Sequence, residues 1–384
     1  MKTHFTPPVV RASVQRLALG LALLGVSHLG AATVEERLAE LEKKTAALAA
    51  ENATLKKELG YSPEGKAPVF VLPAGKVQKI VIGGFIQANG EFGDAPDSRW
   101  TTNDDRFLLR RARLNFTATL ASDFTAKIEA DFGANSMSTG AGARGQLTDG
   151  YIQWSKYDFA NVRIGQFKTP FGYEQLTPDI RTLTVERTLP NDRLTVSRQI
   201  GAGVSGDIVE KKLAYSVGAF NGNGVNTGQN DNDNFMWAGR LSGQAYDGKI
   251  ANQPVKLTGG VNAFTSQDLG NQRTGYGLDL QAVSGPLTVQ AEWLRNENDT
   301  AAEAEGWSVL SAWRVSEHWR GLVRYETYDS NTAASNTTTD LWTFGVDYLF
   351  NGDDLKLSLN YLLGDQPAPA TDGGRLLARV QVVF

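Results

Sequence analysis

The stretch Arg375-Leu-Leu-Ala-Arg-Val-Gln-Val-Val-Phe384 alternates with a period of two and stops on an aromatic residue. On a strand, Leu376, Ala378, Val380, Val382 and Phe384 share one face, and Arg375, Leu377, Arg379, Gln381 and Val383 share the other. An apolar strand left as a sheet edge in water invites aggregation. In a lipid bilayer the same strand is stable if it pairs with the first strand of a closed barrel, which leaves no edge. The expectation is therefore a transmembrane barrel.

This ending resembles the C-terminal strand of bacterial outer-membrane barrels, where a final Phe marks the chain for insertion. The N-terminus agrees with export. Lys2, Arg11 and Arg16 precede the apolar run Leu17-Ala-Leu-Gly-Leu-Ala-Leu-Leu-Gly-Val26, and Gly30, Ala31 and Ala32 offer a cleavage site. The run is shorter than the roughly 20 residues that span a bilayer as a helix. Residues 1–32 therefore read as a signal peptide. The chain has no cysteine, which excludes a disulfide framework and a thiolate metal site. Its mean hydropathy is slightly below zero, as expected where lipid-facing apolar residues alternate with polar lumenal ones. The formal net charge is −4, so any preference for anions depends on where the basic residues sit. No nucleic-acid partner and no cofactor are expected.

Residues 33–60 have a helical period. Val34, Leu41, Leu48 and Leu55 occupy one heptad position, and Leu38, Thr45, Asn52 and Leu59 the other. The polar Thr45 and Asn52 on this seam favour a short parallel coiled coil over a lone amphipathic helix, because buried polar groups there fix register and oligomer state. Roughly four heptads are marginal alone and call for a symmetric assembly. Residues 61–75, with Pro63, Pro68 and Pro73, read as a linker. From 76 to 384 about sixteen strand-length segments follow, with short turns and longer polar loops in alternation. The fold class is all-β: an antiparallel transmembrane barrel of about 16 strands behind a periplasmic coiled-coil helix. The fifth strand, Ala160–Lys168, is followed by a connection of about thirty residues, a length that usually carries function.

Several blocks around that connection resemble the phosphate-selective porin O and P family. They are Val162-Arg-Ile-Gly-Gln-Phe-Lys-Thr-Pro-Phe-Gly172, Glu174-Gln-Leu176, Glu186-Arg-Thr-Leu-Pro190 and Ser197-Arg-Gln-Ile-Gly201, with Arg110-Arg-Ala-Arg-Leu114 upstream. The resemblance implies a homotrimer of barrels whose pores are narrowed by an inward-folded loop and lined by Arg and Lys. It also implies inorganic phosphate or other small anions as the permeant species and outer-membrane lipid as the surroundings. A narrow pore must replace the hydration of phosphate with N–H donors and positive charge, which Arg supplies as a planar fork and Lys as a point charge.

Parity places Arg111, Arg113, Lys127 and Arg163 in the lumen, together with Arg240, Lys256, Arg314, Arg320, Arg324, Lys356, Arg375 and Arg379. Arg110 has lipid-facing parity, so it lies at the rim or beside a bulge that resets the register. The long loop contributes Arg181, Arg187, Arg193 and Arg198. The candidate anion-binding set is Arg110, Arg111, Arg113, Lys127, Arg163, Arg187 and Arg198. Against it stands the simpler reading that lumenal bases pair with Glu91, Asp279, Glu292, Glu326 and Asp347, giving a general diffusion pore. An enzyme is disfavoured: His4, His28 and His318 are the only histidines, and no nucleophile motif is present. Asn230-Asp-Asn-Asp-Asn234 reads as a solvated loop rather than a cation site. A sugar porin would show an aromatic ladder, and lumenal aromatics such as Phe85, Phe167 and Phe264 are few. A structural tether, with the coiled coil touching the cell wall, remains a further alternative. Deletion of Val34–Leu59 is expected to lower trimer melting without closing the pore; unchanged melting would remove the role assigned to the helix.

Overall fold

The computed structural model describes residues 40, 42–48, 50, 69–70, 77–120, 123–133, 145–209, 212–268, 271–368, 370 and 372–384. The chain forms two units, 1–58 and 59–384. In the first, the described residues are helical and exposed, and Lys44 meets Glu40 one turn away at 2.8 Å. Leu48, on the apolar seam, is among the exposed residues. The expected signal peptide, the linker and the rest of the heptad pattern lie outside the described residues, apart from Val69–Phe70, a short strand pairing with Val81 and Ile80.

The second unit is the barrel. Its strands are β1 (Val77–Gly93), β2 (Arg106–Leu120), β3 (Phe124–Asp131), β4 (Gln146–Tyr157), β5 (Ala160–Lys168), β6 (Arg198–Ile208), β7 (Leu213–Phe220) and β8 (Met236–Ile250). They continue as β9 (Gln253–Asp268), β10 (Asn271–Ser284), β11 (Leu287–Asn298), β12 (Ala304–Arg314), β13 (Trp319–Asp329), β14 (Thr338–Asn351), β15 (Leu355–Asp365) and β16 (Gly373–Val383). Every strand pairs antiparallel with its sequence neighbours, and β16 closes on β1 from Arg375↔Gly93 to Val383↔Phe85. Phe384 completes the seam by exchanging two 2.9 Å backbone hydrogen bonds with Gly84. The terminal alternation therefore pairs as expected. Among the described residues no helix is long and apolar enough to cross a membrane; strands make the crossing.

Parity separates the two faces. Outward side chains such as Ile128, Ile164, Trp313, Trp342, Phe344 and Val380 are exposed, whereas Gln87, Asn89, Glu91, Thr343, Asp347, Asn360 and Gln381 are buried. An exterior so apolar and an interior so polar reverse the arrangement of a soluble protein and suit lipid outside and water inside. One tight turn was not anticipated. Ala251 and Asn252 join β8 to β9 with φ of 49° and 66°, and two successive positive φ values match the right-handed twist of a hairpin. The connection between β11 and β12 is also short, residues 299–303, because β11 runs on to Asn298.

Gly84 is required at the seam. A Cβ there would collide with the carbonyl of Arg113 and approach the Phe384 ring to 2.8 Å. Gly84→Val is expected to cost about 1–3 kcal/mol through overpacking. It should lower the temperature at which the folded barrel loses its fast electrophoretic mobility, and an unchanged transition would show that the seam tolerates the side chain.

Candidate functional site

The site is built on the segment 169–197 between β5 and β6, which folds into the lumen. Its base is tied by Thr169, whose backbone N–H and hydroxyl both donate to the Ser197 carbonyl at 3.0 and 2.9 Å. Within it lie α1 (Tyr173–Leu176), a 3-10 turn (Asp179–Arg181) and α2 (Leu189–Leu194). Thr188 caps α2 by accepting from the Asn191 N–H, and Pro190 occupies the first turn, where a missing N–H costs nothing.

Apolar contacts hold the segment against the wall at several places. Phe171 and Leu194 pack with Phe167, Phe220, Met236, Phe264 and Leu294. Val185 and Leu189 pack with Leu341, Leu362 and Leu377, and Leu183 leans on Leu310, Ala312 and Leu322. Each fully buried side chain contributes about 1.5–3 kcal/mol. Polar groups complete the docking. Asn360 accepts from the Val185 N–H at 2.7 Å, Glu326 from the Leu189 N–H at 2.8 Å, and Glu292 from the Tyr173 N–H at 2.5 Å.

Two carboxylates of this segment gather most of the candidate arginines. Asp179 contacts Arg113 at 2.6 Å, Arg187 at 2.7 Å and Arg111 at 3.2 Å. Glu186 takes a two-pronged contact from Arg110, 2.8 Å on each oxygen, and another from Arg379 at 2.6 Å. Arg110 reaches it because the strand is bulged. Gln87 on β1 faces Arg111 and Ala88 faces Leu109, so Arg110 is an extra residue and turns inward. The parity conflict noted for Arg110 is resolved by this bulge, and Arg106, Arg111 and Arg113 keep lumenal positions on either side of it.

Lys127 and Arg198 form a second group around Asp149, at 2.9 and 2.7 Å, with Glu129 also near. Arg163 stands apart. Its guanidinium lies 4.3 Å from the Tyr151 ring and 5.2 Å from Phe167, and donates to Gln153 at 2.8 Å. With Lys168, Arg240 and Asp149 it lines a cavity of about 250 Å³. Arg181 and Arg193 sit nearer solvent, on Asp354 and Ser98. Other lumenal bases pair as the simpler reading expects: Arg240 with Asp279, Arg324 with Glu326, Arg320 with Asp347. Sequence reasoning overlooked Lys168, whose ammonium donates to the carbonyls of Gln175 and Thr177, and the acidic partners Asp179 and Glu186. The adjacent Glu186-Arg187 pair inside a long loop was the available signal. Among the described residues no His, Cys, Asp and Glu cluster fits a metal ion.

A barrel with one strongly charged inward loop is the architecture of a diffusion channel, and the sequence carries that relationship directly. The family described as phosphate-selective porin O and P matches residues 83–271 and 258–384. The chain belongs to this family. Porin O of Pseudomonas aeruginosa is 22% identical, over 79% of this chain and 88% of its own length. An anion-selective porin from Comamonas acidovorans has a TM-score of 0.58 at 14% identity, covering 79% of this chain and 99% of that one. The trimer form of OmpT from Vibrio cholerae has a TM-score of 0.53 at 11% identity, with coverage of 79% and 99%. The protein is thus a porin of the bacterial outer membrane, a channel and not an enzyme.

The porin's loop carboxylates are strongly perturbed. Burial acts to raise Asp179, but Arg111, Arg187 and Arg113 outweigh it and hold the group well below the usual carboxylate range. Glu186 is lowered in the same way, burial being overcome by Arg110, Arg379 and Arg111. A depressed folded pKa stabilises docking above the unfolded value of about 4 and is lost only as pH falls through the lowered value. Titration of Asp179 and Glu186 is therefore expected to leave single-channel conductance unaltered between about pH 8 and 5 and to change it only under stronger acid. Glu186→Gln removes the carboxylate that Arg110 and Arg379 share. Such a loss costs about 3–5 kcal/mol when buried, and it should produce unstable conductance at neutral pH. Steady wild-type current in this variant would contradict the docking role.

Proposed function

We propose that this porin conducts small inorganic anions, phosphate foremost, and works as a homotrimer. The observation that carries the reading is the bulge at Arg110. It adds a third inward arginine to Arg111 and Arg113, so that with Arg187 and Arg379 five guanidiniums share Asp179 and Glu186 as their main counter-ions. Around the same wall, Lys127, Arg163, Lys168 and Arg198 lie beside Glu129 and Asp149, while Asp131 pairs with Arg113. Bases outnumber carboxylates on β2 to β6 and the loop, and this excess survives pairing as a positive local potential despite the acidic total.

Conduction needs binding that is favourable at entry and weak enough for exit. Arginines already bonded to carboxylates suit this, since an arriving anion shares donors instead of capturing a bare charge. Arg110, Arg111, Arg113 and Arg187 then form the narrow part of the path, and Lys127, Arg163 and Arg198 lie beside it toward the short-turn end. Trimerisation is supported by family membership and by the polar seam positions Thr45 and Asn52. The trimer form of the Vibrio cholerae neighbour agrees.

The test is the reversal potential of the purified protein in a planar bilayer under a chloride gradient, followed by added phosphate. Anion preference and phosphate block are expected, with Arg111→Ala and Arg187→Ala both moving the potential toward zero. A near-zero or cation-selective potential would establish a general diffusion pore, and absence of conductance would favour a structural tether.

A further inference from the structure

A second loop also folds into the barrel. The connection between β1 and β2, residues 94–105, runs across the lumenal side of β15 and β16 at the long-loop end. The wall has made room for it: a Cβ at Gly364 would collide with the Pro96 carbonyl, and one at Gly373 with that of Ala95. Gln366 donates to the Ala95 carbonyl at 2.8 Å, and Arg375 donates to the carbonyls of Gly93, Asp94 and Asp104. Trp100 is buried against Leu341, Leu362 and Leu377 of the wall and against Val185 and Leu189 of the constriction loop. Its indole N–H donates to Glu91 at 3.1 Å.

Arg99 makes the connection between the two loops. Its guanidinium is fixed at one end by Asp97, with contacts of 2.7 to 3.1 Å. The other end donates to the carbonyl of Arg187 at 2.7 Å and to Asp192 at 3.0 Å. One side chain thus holds the backbone of Arg187, a member of the narrow part of the path, and the outer edge of α2.

We propose that the 94–105 loop is a clamp on the constriction loop, with Arg99 and Trp100 as positioning residues that set how wide and how steady the pore is. The constriction segment is otherwise a long insertion in a water-filled lumen, where each anchor competes with hydration. Bonds to charged groups are the stronger ones, and with its fork held by Asp97, Arg99 directs its remaining nitrogen to a carbonyl and a carboxylate of the opposite loop. The Trp100 ring shields that contact by filling the space between wall and loop.

The test uses the full-length protein and reads the loop in two ways: single-channel flicker in planar bilayers, and tryptic cleavage within residues 181–193 of the folded barrel. Losing a charged hydrogen bond of this kind should raise the detached population on the order of tenfold to a hundredfold. Arg99→Ala and Trp100→Ala are expected to show frequent excursions to larger conductance and faster cleavage, and Arg99→Lys an intermediate effect. Gly364→Ala displaces the clamp without touching the constriction loop and should reproduce the phenotype, whereas exposed Thr102→Ala should not. Wild-type flicker and cleavage in both Arg99→Ala and Gly364→Ala, with their heat-induced mobility shift intact, would overturn the proposal. Because cleavage requires no conduction, this outcome is independent of whether the pore prefers anions.

Discussion

Every backbone N–H and C=O within lipid must find a partner inside the protein, and a sheet meets that demand only by closing on itself. Here the closure is the β16–β1 seam, finished by the reciprocal bonds of Gly84 and Phe384. Closure dictates the remaining arrangement. It gives each strand an inside and an outside, so the period of two becomes a division between lipid-facing apolar side chains and lumenal charges. It also encloses a space too wide for wall side chains to fill, and a loop can therefore enter it.

What enters brings charge into a confined interior, where unpaired ions are costly. The arginines of β2 and β16 reach the constriction loop because that loop carries Asp179 and Glu186 to them. The same contacts that hold the loop thus gather five guanidiniums around its two carboxylates. Docking and the proposed anion preference therefore rest on one network of paired bases. The 94–105 loop extends this logic by adding a second support through Arg99 and Trp100.

Much of the candidate site was legible beforehand. Arg111, Arg113, Lys127 and Arg163 have the lumenal positions their parity assigned, and the long connection after β5 is the inward loop. Arg110 was ambiguous because parity counts residues and a bulge adds one. Trp100 and Arg99 gave no signal, since a longer polar loop with one tryptophan looks like any other exposed loop. Lys168 was read as the last residue of a strand and not as a donor to loop carbonyls.

The division has a physical basis. Alternation, turn chemistry and loop length are local properties, so the chain alone specified the strands, their faces, the closing seam and a long connection after β5, whose inward turn came from the family resemblance. Partners for the charges are not local. Arg110 and Glu186 are 76 positions apart, and Arg379 and Glu186 are 193 apart. Which base meets which carboxylate depends on where the closed barrel brings distant strands together, and only the tertiary structure decided that.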